Sequence, residues 1–397
     1  MIIKEVEIRR IIDSRGNPTV EADVTTESGF GRAAAPAGAS TGTHEAMAWP
    51  NGSVSKGMDF AKRNVIPRII GLYADKQEEF DKLLRDIDSS DNFSNLGGNV
   101  AVALSLATAK AAADTKKVPL FQYLSKDNDY SLPAPMANVL GGGAHAVGGT
   151  DIQEYLVTAF HDDFSTAIEA NALVHKTVKS LLKEKFPKIA LGKGDEGAWV
   201  APLENVEALE LVVKAARMVE QETGVEIRPG LDIAASEFYD GEKYNYKEQS
   251  LTPEEQVDFV LGMIEEYNLH SVEDPLDQED YESWTLLTEQ TDALIIGDDL
   301  YVTNAKRLQK GIDMKSTNSI LIKPNQIGTL TDTKKAVDLA HSADMATVIS
   351  HRSGETTDST IAHLGVAFGS HAIKTGIMGG ERIAKLNELV RISEQLR

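Results

Sequence analysis

Cysteine is absent from this chain of 397 residues. That excludes disulfides, a thiolate nucleophile and any zinc or iron–sulfur site built on cysteine. Long apolar runs are missing as well: none approaches the roughly 20 residues that a membrane helix needs. The opening segment, MIIKEVEIRR, has no apolar stretch of the kind that marks a secretory signal. A cytoplasmic protein with no membrane span is therefore expected. Positive charge is in short supply, with 40 Lys and Arg against 61 Asp and Glu, a formal net charge of −21. Such a surface repels nucleic acid and anionic membranes, so neither is expected as a partner. It also sets a condition: an anionic substrate would need local cations to hold it.

What the chain does have is a repeat. Six apolar runs in its second half end in polar, charge-capable residues: Asp232, Glu273-Asp274, Asp298-Asp299, Lys323, His351-Arg352-Ser353 and Lys374. The steps from Asp232 to Glu273, Asp298, Lys323, His351 and Lys374 are 41, 25, 25, 28 and 23 residues. A short buried strand, a covering helix and two loops take about that many, since eight such units fill roughly 250 residues in a barrel. The long first step holds an insert, EFYDGEKYNYKEQ, with a hairpin-like Asp240-Gly241 turn. The expected fold class is α/β: a C-terminal TIM-like α/β barrel over 131–397, with a smaller N-terminal α+β domain over 1–130. From 131 onward strand should alternate with helix. In the first part, KEVEIRRII, PTVEADVTT and FGRAAAP read as a three-stranded meander, followed by helices near 57–72, 76–87 and 98–114.

Residues that end barrel strands converge on one rim, where barrel enzymes keep their chemistry. Three carboxylates there, Asp232, Glu273 and Asp298, would repel one another unless a cation neutralised them. An all-oxygen, anionic ligand set favours Mg²⁺ or Mn²⁺ over zinc or copper. The alternative for each acid is a pairing with arginine or a helix cap. Lys323 and Lys374 also end buried strands. Beside a divalent cation a lysine loses its ammonium form more readily, and a neutral lysine suits removal of a proton from carbon next to a carboxylate. The alternative is a permanent cation that offsets the acidic mouth, a role that fits Lys374 better.

Other loops carry weaker signals. Gly141 to Gly149 is glycine-rich with one histidine, His145, and lacks the spacing of a phosphate-binding P-loop; a lone loop histidine is more often a solvated bystander. Gln153-Glu154 follows on an apparent strand. A carboxylate of Gly194-Asp195-Glu196-Gly197 suits a general acid if burial or like charge keeps it protonated, or else marks an ordinary turn. His351-Arg352-Ser353 offers a guanidinium and a hydroxyl for phosphate or carboxylate. Pro36 to Glu45 is small and glycine-rich, either a closing lid or a plain hairpin loop.

Taken together these residues resemble the enolase family over essentially the whole chain. The matching motifs are Ser14-Arg-Gly-Asn-Pro-Thr-Val-Glu21, Gly38-Ala-Ser-Thr-Gly42, His145, Gln153-Glu154, Gly194-Asp-Glu-Gly197, Leu231-Asp232, Val272-Glu-Asp-Pro275, Gly297-Asp-Asp-Leu300, Asn325-Gln-Ile-Gly328, Ser350-His-Arg-Ser-Gly-Glu355 and Ile373-Lys-Thr-Gly376. Pro324 after the lysine resembles archaeal members. The resemblance implies reversible dehydration of 2-phosphoglycerate to phosphoenolpyruvate with Mg²⁺. It implies that Asp232, Glu273 and Asp298 bind one metal, and that Ser40 binds a second that arrives with substrate. Lys323 would take the C2 proton and Glu196 would protonate the leaving hydroxyl. Lys374 would hold the substrate carboxylate, Arg352 and Ser353 its phosphate, with His145, Gln153, Glu154 and His351 lining the pocket. It further implies a homodimer or octamer, with Glu21 and Arg391 matching a pair across the interface. A different acid dehydratase or racemase of the same superfamily, or a surface-exposed or secreted pool with a binding role, are the rival expectations.

Overall fold

The computed structural model describes residues 1–397 except 40, 126–129 and 147. Three antiparallel strands open the chain: β1 (Ile3–Ile12), β2 (Pro18–Thr26) and β3 (Phe30–Ala34), in the order β1-β2-β3. The meander matches the expectation. The helix Gly98–Lys116, buried along most of its length, covers β2 and β3. Its small residues allow close approach: a Cβ on Gly31 would lie 2.0 Å from the carbonyl oxygen of Ala107. The expected helix near 57–72 is broken into Val54–Phe60 and Ile66–Ile69 by a π-helical stretch, Ala61–Val65. Pro67 accounts for the break, because its ring and missing N–H disrupt the regular α ladder one turn earlier.

The second part is a closed barrel of eight strands with helices outside: β4 (Ala134–Gly141), β5 (Glu154–Phe160), β6 (Glu226–Asp232), β7 (Ser271–Glu273), β8 (Leu294–Gly297), β9 (Ser319–Ile322), β10 (Ala346–Ser350) and β11 (Ala372–Lys374). The ring closes where β11 lies parallel to β4, with Lys374 opposite Met136. The expected strand–helix alternation fails at one place. β4 and β5 are joined directly and run antiparallel, and β5 is antiparallel to β6 as well. Both its faces are buried, so its run of apolar residues gave no sign of direction.

The strand period of two sorts the barrel residues. Met136, Leu156, Ile296, Leu321, Val348 and Ala372 form a separate apolar cluster that plugs the barrel. Their neighbours Ile295, Ile320, Ile322 and Ile349 belong to the larger core between barrel and helices. Two residues beyond each plug position, toward the mouth, come Asn138, Asp298, Lys323, Ser350 and Lys374. On reversed β5 the count runs the other way, and Glu154 lies two residues before Leu156. The polar layer therefore sits directly on an apolar floor. Among the described residues, no helix is long and apolar enough to cross a membrane.

Candidate active site

The mouth residues arrive from separate strands at matching heights. Glu154 is in register with Asp232, and Asp232 with Glu273. Reversal of β5 is what makes this possible, because the first residue of that strand meets the last residues of its neighbours. His145 stands on a short 3₁₀ turn, Gly143–His145, and is buried rather than solvated. Its Nδ1 lies 3.5 Å from Glu154 and 3.8 Å from Glu196. A narrow cavity is lined by ten of the expected site residues: His145, Gln153, Glu154, Glu196, Asp232, Lys323, His351, Arg352, Ser353 and Lys374. Glu273 and Asp298 join it through the two lysines. Ser40, the expected ligand of a second metal, lies outside the described residues.

The cavity is dominated by buried acid. Lys374 Nζ sits 2.7 Å from Glu273, 2.9 Å from Asp232 and 3.3 Å from Glu154. Lys323 Nζ is bound to Asp298. Burial and then the neighbouring Asp232 push the Glu273 carboxyl up to about 8. For Lys374, burial favours the neutral amine, but Asp232, Glu154 and Glu273 together outweigh it and hold the ammonium firmly. Burial likewise opposes the Lys323 ammonium, and Asp298 outweighs it, so its pKa is raised. The sequence-based expectation of a lowered lysine presupposes a divalent cation beside it; the protein chain by itself does the reverse.

This arrangement fits a hard divalent metal. One ammonium already occupies the point on which the oxygens of Asp232, Glu273 and Glu154 converge, and a second neutralises Asp298. All the donors are oxygen, and too few cations face them to offset their charge. Asp274, Asp298 and Asp299 also bring carboxylate oxygens within 4.8 Å of one another, as do His145, Glu154 and Glu196 with their ligand atoms. Asp274 went unrecognised as a separate part from sequence. Its φ is 42°, a strained left-handed value for a non-glycine residue. Its two oxygens accept the backbone N–H groups of Asp298 and Asp299, each at 2.9 Å. Asp274 thereby aims the strand end that carries Asp298, and Gln326 Nε2 donates to the Asp298 carboxylate at 2.8 Å.

Two carboxyl groups at the other side of the cavity are driven apart. Burial, then Glu196, raise the Glu154 carboxyl well above the usual range. Burial also opposes ionisation of Glu196, but His351, His145 and Arg382 outweigh it and hold it well below that range. Asn138 Nδ2 donates to Glu196 at 3.3 Å. Their surroundings thus push the two groups in opposite directions, the pattern by which two acids acquire different roles. The Glu196 turn needs Gly197: its φ is +79°, and a Cβ there would lie 2.5 Å from the Met378 carbonyl oxygen.

The third side is cationic. Both terminal nitrogens of Arg352 donate to the Glu45 carboxylate, at 3.0 and 2.9 Å. A planar guanidinium binds phosphate in the same two-pronged way. Ser353 Oγ accepts the Ala39 N–H at 2.6 Å, and Ala37 and Gly354 exchange backbone hydrogen bonds. Ala37 and Ala39 of the Pro36–Glu45 segment are therefore tied to the loop that carries Arg352 and Ser353. Glu45 escaped the sequence reading because nothing local marks its partner, 307 residues away.

Comparison with known proteins agrees with this geometry. Residues 3–124 match the family model "Enolase, N-terminal domain", and residues 129–397 match "Enolase, C-terminal TIM barrel domain". The enolase of Methanothermobacter thermautotrophicus is 50% identical over 403 residues, covering 100% of this chain and 97% of that protein. The enolase of Methanocorpusculum labreanum is 51% identical over 401 residues, covering 99% of both. The enolase of Picrophilus torridus is 45% identical over 396 residues, again covering 99% of both. With likeness of that extent running through both halves and across the cavity, the chain belongs to the enolase family of hydro-lyases.

Proposed function

We propose that this protein interconverts 2-phosphoglycerate and phosphoenolpyruvate by Mg²⁺-dependent dehydration, in glycolysis and gluconeogenesis. The observation that carries the reading is the single cavity lined by Lys323, the Glu154–Glu196 pair and the Arg352–Ser353 loop. Those are a base, an acid and an anion clamp around one small volume.

Asp232, Glu273 and Asp298 would hold one Mg²⁺, and Ser40 with the substrate phosphate a second. Bound there, Mg²⁺ supplies charge stabilisation for the doubly negative carboxylate that develops when the C2 proton leaves. Lys323 removes that proton. It can do so only after exchanging its ion pair with Asp298 for the neutral amine, which occupation of Asp298 by a metal would favour. Lys374 holds the substrate carboxylate. Arg352 gives up Glu45 for phosphate, assisted by Ser353. Glu196 delivers a proton to the leaving hydroxyl after receiving it from Glu154, where burial favours the protonated form, while Gln153, His145 and His351 line the pocket and exclude water. Domains over 1–130 and 131–397, a cytoplasmic location and a homodimer or octamer complete the reading. Arg391, its side chain 61% exposed, is free to reach a partner subunit if it leaves Glu388.

The test is the absorbance of phosphoenolpyruvate forming from 2-phosphoglycerate, with and without Mg²⁺. A Mg²⁺-dependent rise is expected; no rise overturns the reading.

A further inference from the structure

We propose that Arg382 is a positioning residue that keeps His351 neutral with its hydrogen on Nε2, so that the proton for the leaving hydroxyl stays on the Glu154–Glu196 pair. The proposal rests on the dehydratase reading above.

Arg382 lies on the last helix, Gly380–Leu396, and is completely buried at 0% exposure. Its Nη1 donates to His351 Nδ1 at 3.0 Å and to the Arg352 carbonyl at 2.6 Å. Its Nη2 donates to the Ser353 carbonyl at 2.7 Å and to the Asp195 carbonyl at 3.2 Å. One side chain therefore ties the anion-binding loop to the turn that carries Glu196.

The contact with His351 does more than tie. A guanidinium has donors and no acceptor, and it does not lose its proton in a protein. His351 Nδ1 must therefore present its lone pair. The neutral ring then keeps its hydrogen on Nε2, which lies 3.4 Å from Glu196 Oε1. A proton on Nδ1 would set donor against donor and, in the imidazolium, cation against cation, in a side chain only 1% exposed. A second acid that acts on the ring is Glu355, and it is already engaged by Lys385 at 2.9 Å. Burial and Arg382, against the pull of Glu196, bring the His351 pKa down to about 4.

A histidine beside an acid is ordinarily a place for that acid's proton to go. Locked by Arg382, this one can donate to Glu196 but cannot accept from it. Without the guanidinium the imidazole would be open to the proton that burial favours on Glu154, and Glu196 would have none to receive and pass on.

Two measurements on the full chain decide it. The ¹⁵N spectrum of the His351 ring in the wild-type protein should show hydrogen on Nε2 only, with no titration between about pH 5 and 8. A hydrogen on Nδ1, or a titration in that range, overturns the proposal. In Arg382→Leu, phosphoenolpyruvate formation should fall by about 10²–10³-fold at neutral pH, with C2 proton exchange falling less than about tenfold. The loss should deepen as pH falls, and Arg382→Lys, which restores a cationic donor, should recover part of it. Equal losses in both steps would mean that Arg382 only braces the loops, and overturn the proposal. If Arg382→Leu does not fold, the wild-type spectrum decides alone. A wild type that makes no phosphoenolpyruvate sinks the dehydratase reading while the spectrum still reports on the ring.

Discussion

On the N-terminal sheet, Asp23 is buried between two guanidiniums. Arg32 grips it with two nitrogens at 2.7 Å each, and Arg9 binds it from β1 while also reaching Glu21. At the barrel mouth, Glu273 is buried more deeply, and its neighbours are Asp232, Asp298 and one shared ammonium. The two carboxyl groups respond oppositely. Burial alone would raise Asp23, yet Arg32 and Arg9 overcome it and bring the pKa to about 2. At Glu273 burial and like charge win, and the pKa climbs to about 8. Burial raises both, more strongly at Glu273, and only at Asp23 does the chain supply enough cations of its own to reverse it. The first cluster is balanced by its own cations, and the second keeps an excess of buried acid.

That difference predicts where substitution will hurt activity and where it will hurt only stability. Lys323→Ala should have the largest effect, on the order of 10⁴-fold, because general-base catalysis is worth up to about that much. Both C2 proton exchange and phosphoenolpyruvate formation should be lost, as isotope exchange and absorbance will show. Glu196→Gln should cost phosphoenolpyruvate formation about 10³-fold while exchange at C2 continues; normal turnover by this variant would remove Glu196 from the acid role. Asp274→Asn should weaken Mg²⁺ binding by about 10–100-fold, the usual cost of disturbing a group that orients a metal ligand. Calorimetric titration with Mg²⁺ reads this directly, and an unchanged affinity would mean that Asp298 needs no such support.

The smallest effect belongs to the other cluster. Asp23→Asn should cost about 1 kcal/mol of stability, since its partners Arg9 and Arg32 are partly exposed to water. Mg²⁺ affinity and turnover should stay as in the wild type. The sign with pH follows from the depressed carboxyl: its contribution is present above the ordinary value of 3.8 and disappears as pH falls through about 2. Urea unfolding of wild type and variant at pH 7 and at low pH should show the gap closing. A gap that persisted at low pH would mean the loss comes from packing and not from charge.

Much of this was legible in the chain. Terminal positions of apolar runs marked Asp232, Glu273, Asp298, Lys323 and Lys374, because a buried strand that ends in a charge leaves a plain signature. The carboxylate count against the lysines pointed to a divalent metal before any geometry was known. Two kinds of information were not there. Strand direction is invisible when both faces of a strand are buried, which is why the reversal of β5 and the way it carries Glu154 to the mouth came only with the structure. Distant partners are equally silent. Arg352 announced an anion site, but nothing near it named Glu45, and the role of Arg382 depends on carbonyls and a ring nitrogen that meet only after folding. Asp274 was read as part of a motif, yet its orienting work lies in backbone contacts that no residue pattern encodes.

The closure of the barrel has a consequence for the order in which the protein becomes a working one. β4 begins at Ala134, and the strand that completes the ring against it begins at Ala372. A chain leaving the ribosome from its N-terminus can build the three-stranded sheet, its covering helix and the β4–β5 hairpin early, from contacts close in sequence. It cannot seal the barrel until nearly all of the chain has emerged. The closing strand carries Lys374, and the helix after it carries Arg382. A nascent or truncated chain therefore holds an open row of acids with neither the ammonium that gathers them nor the guanidinium that locks His351, and the site comes into being in one late step.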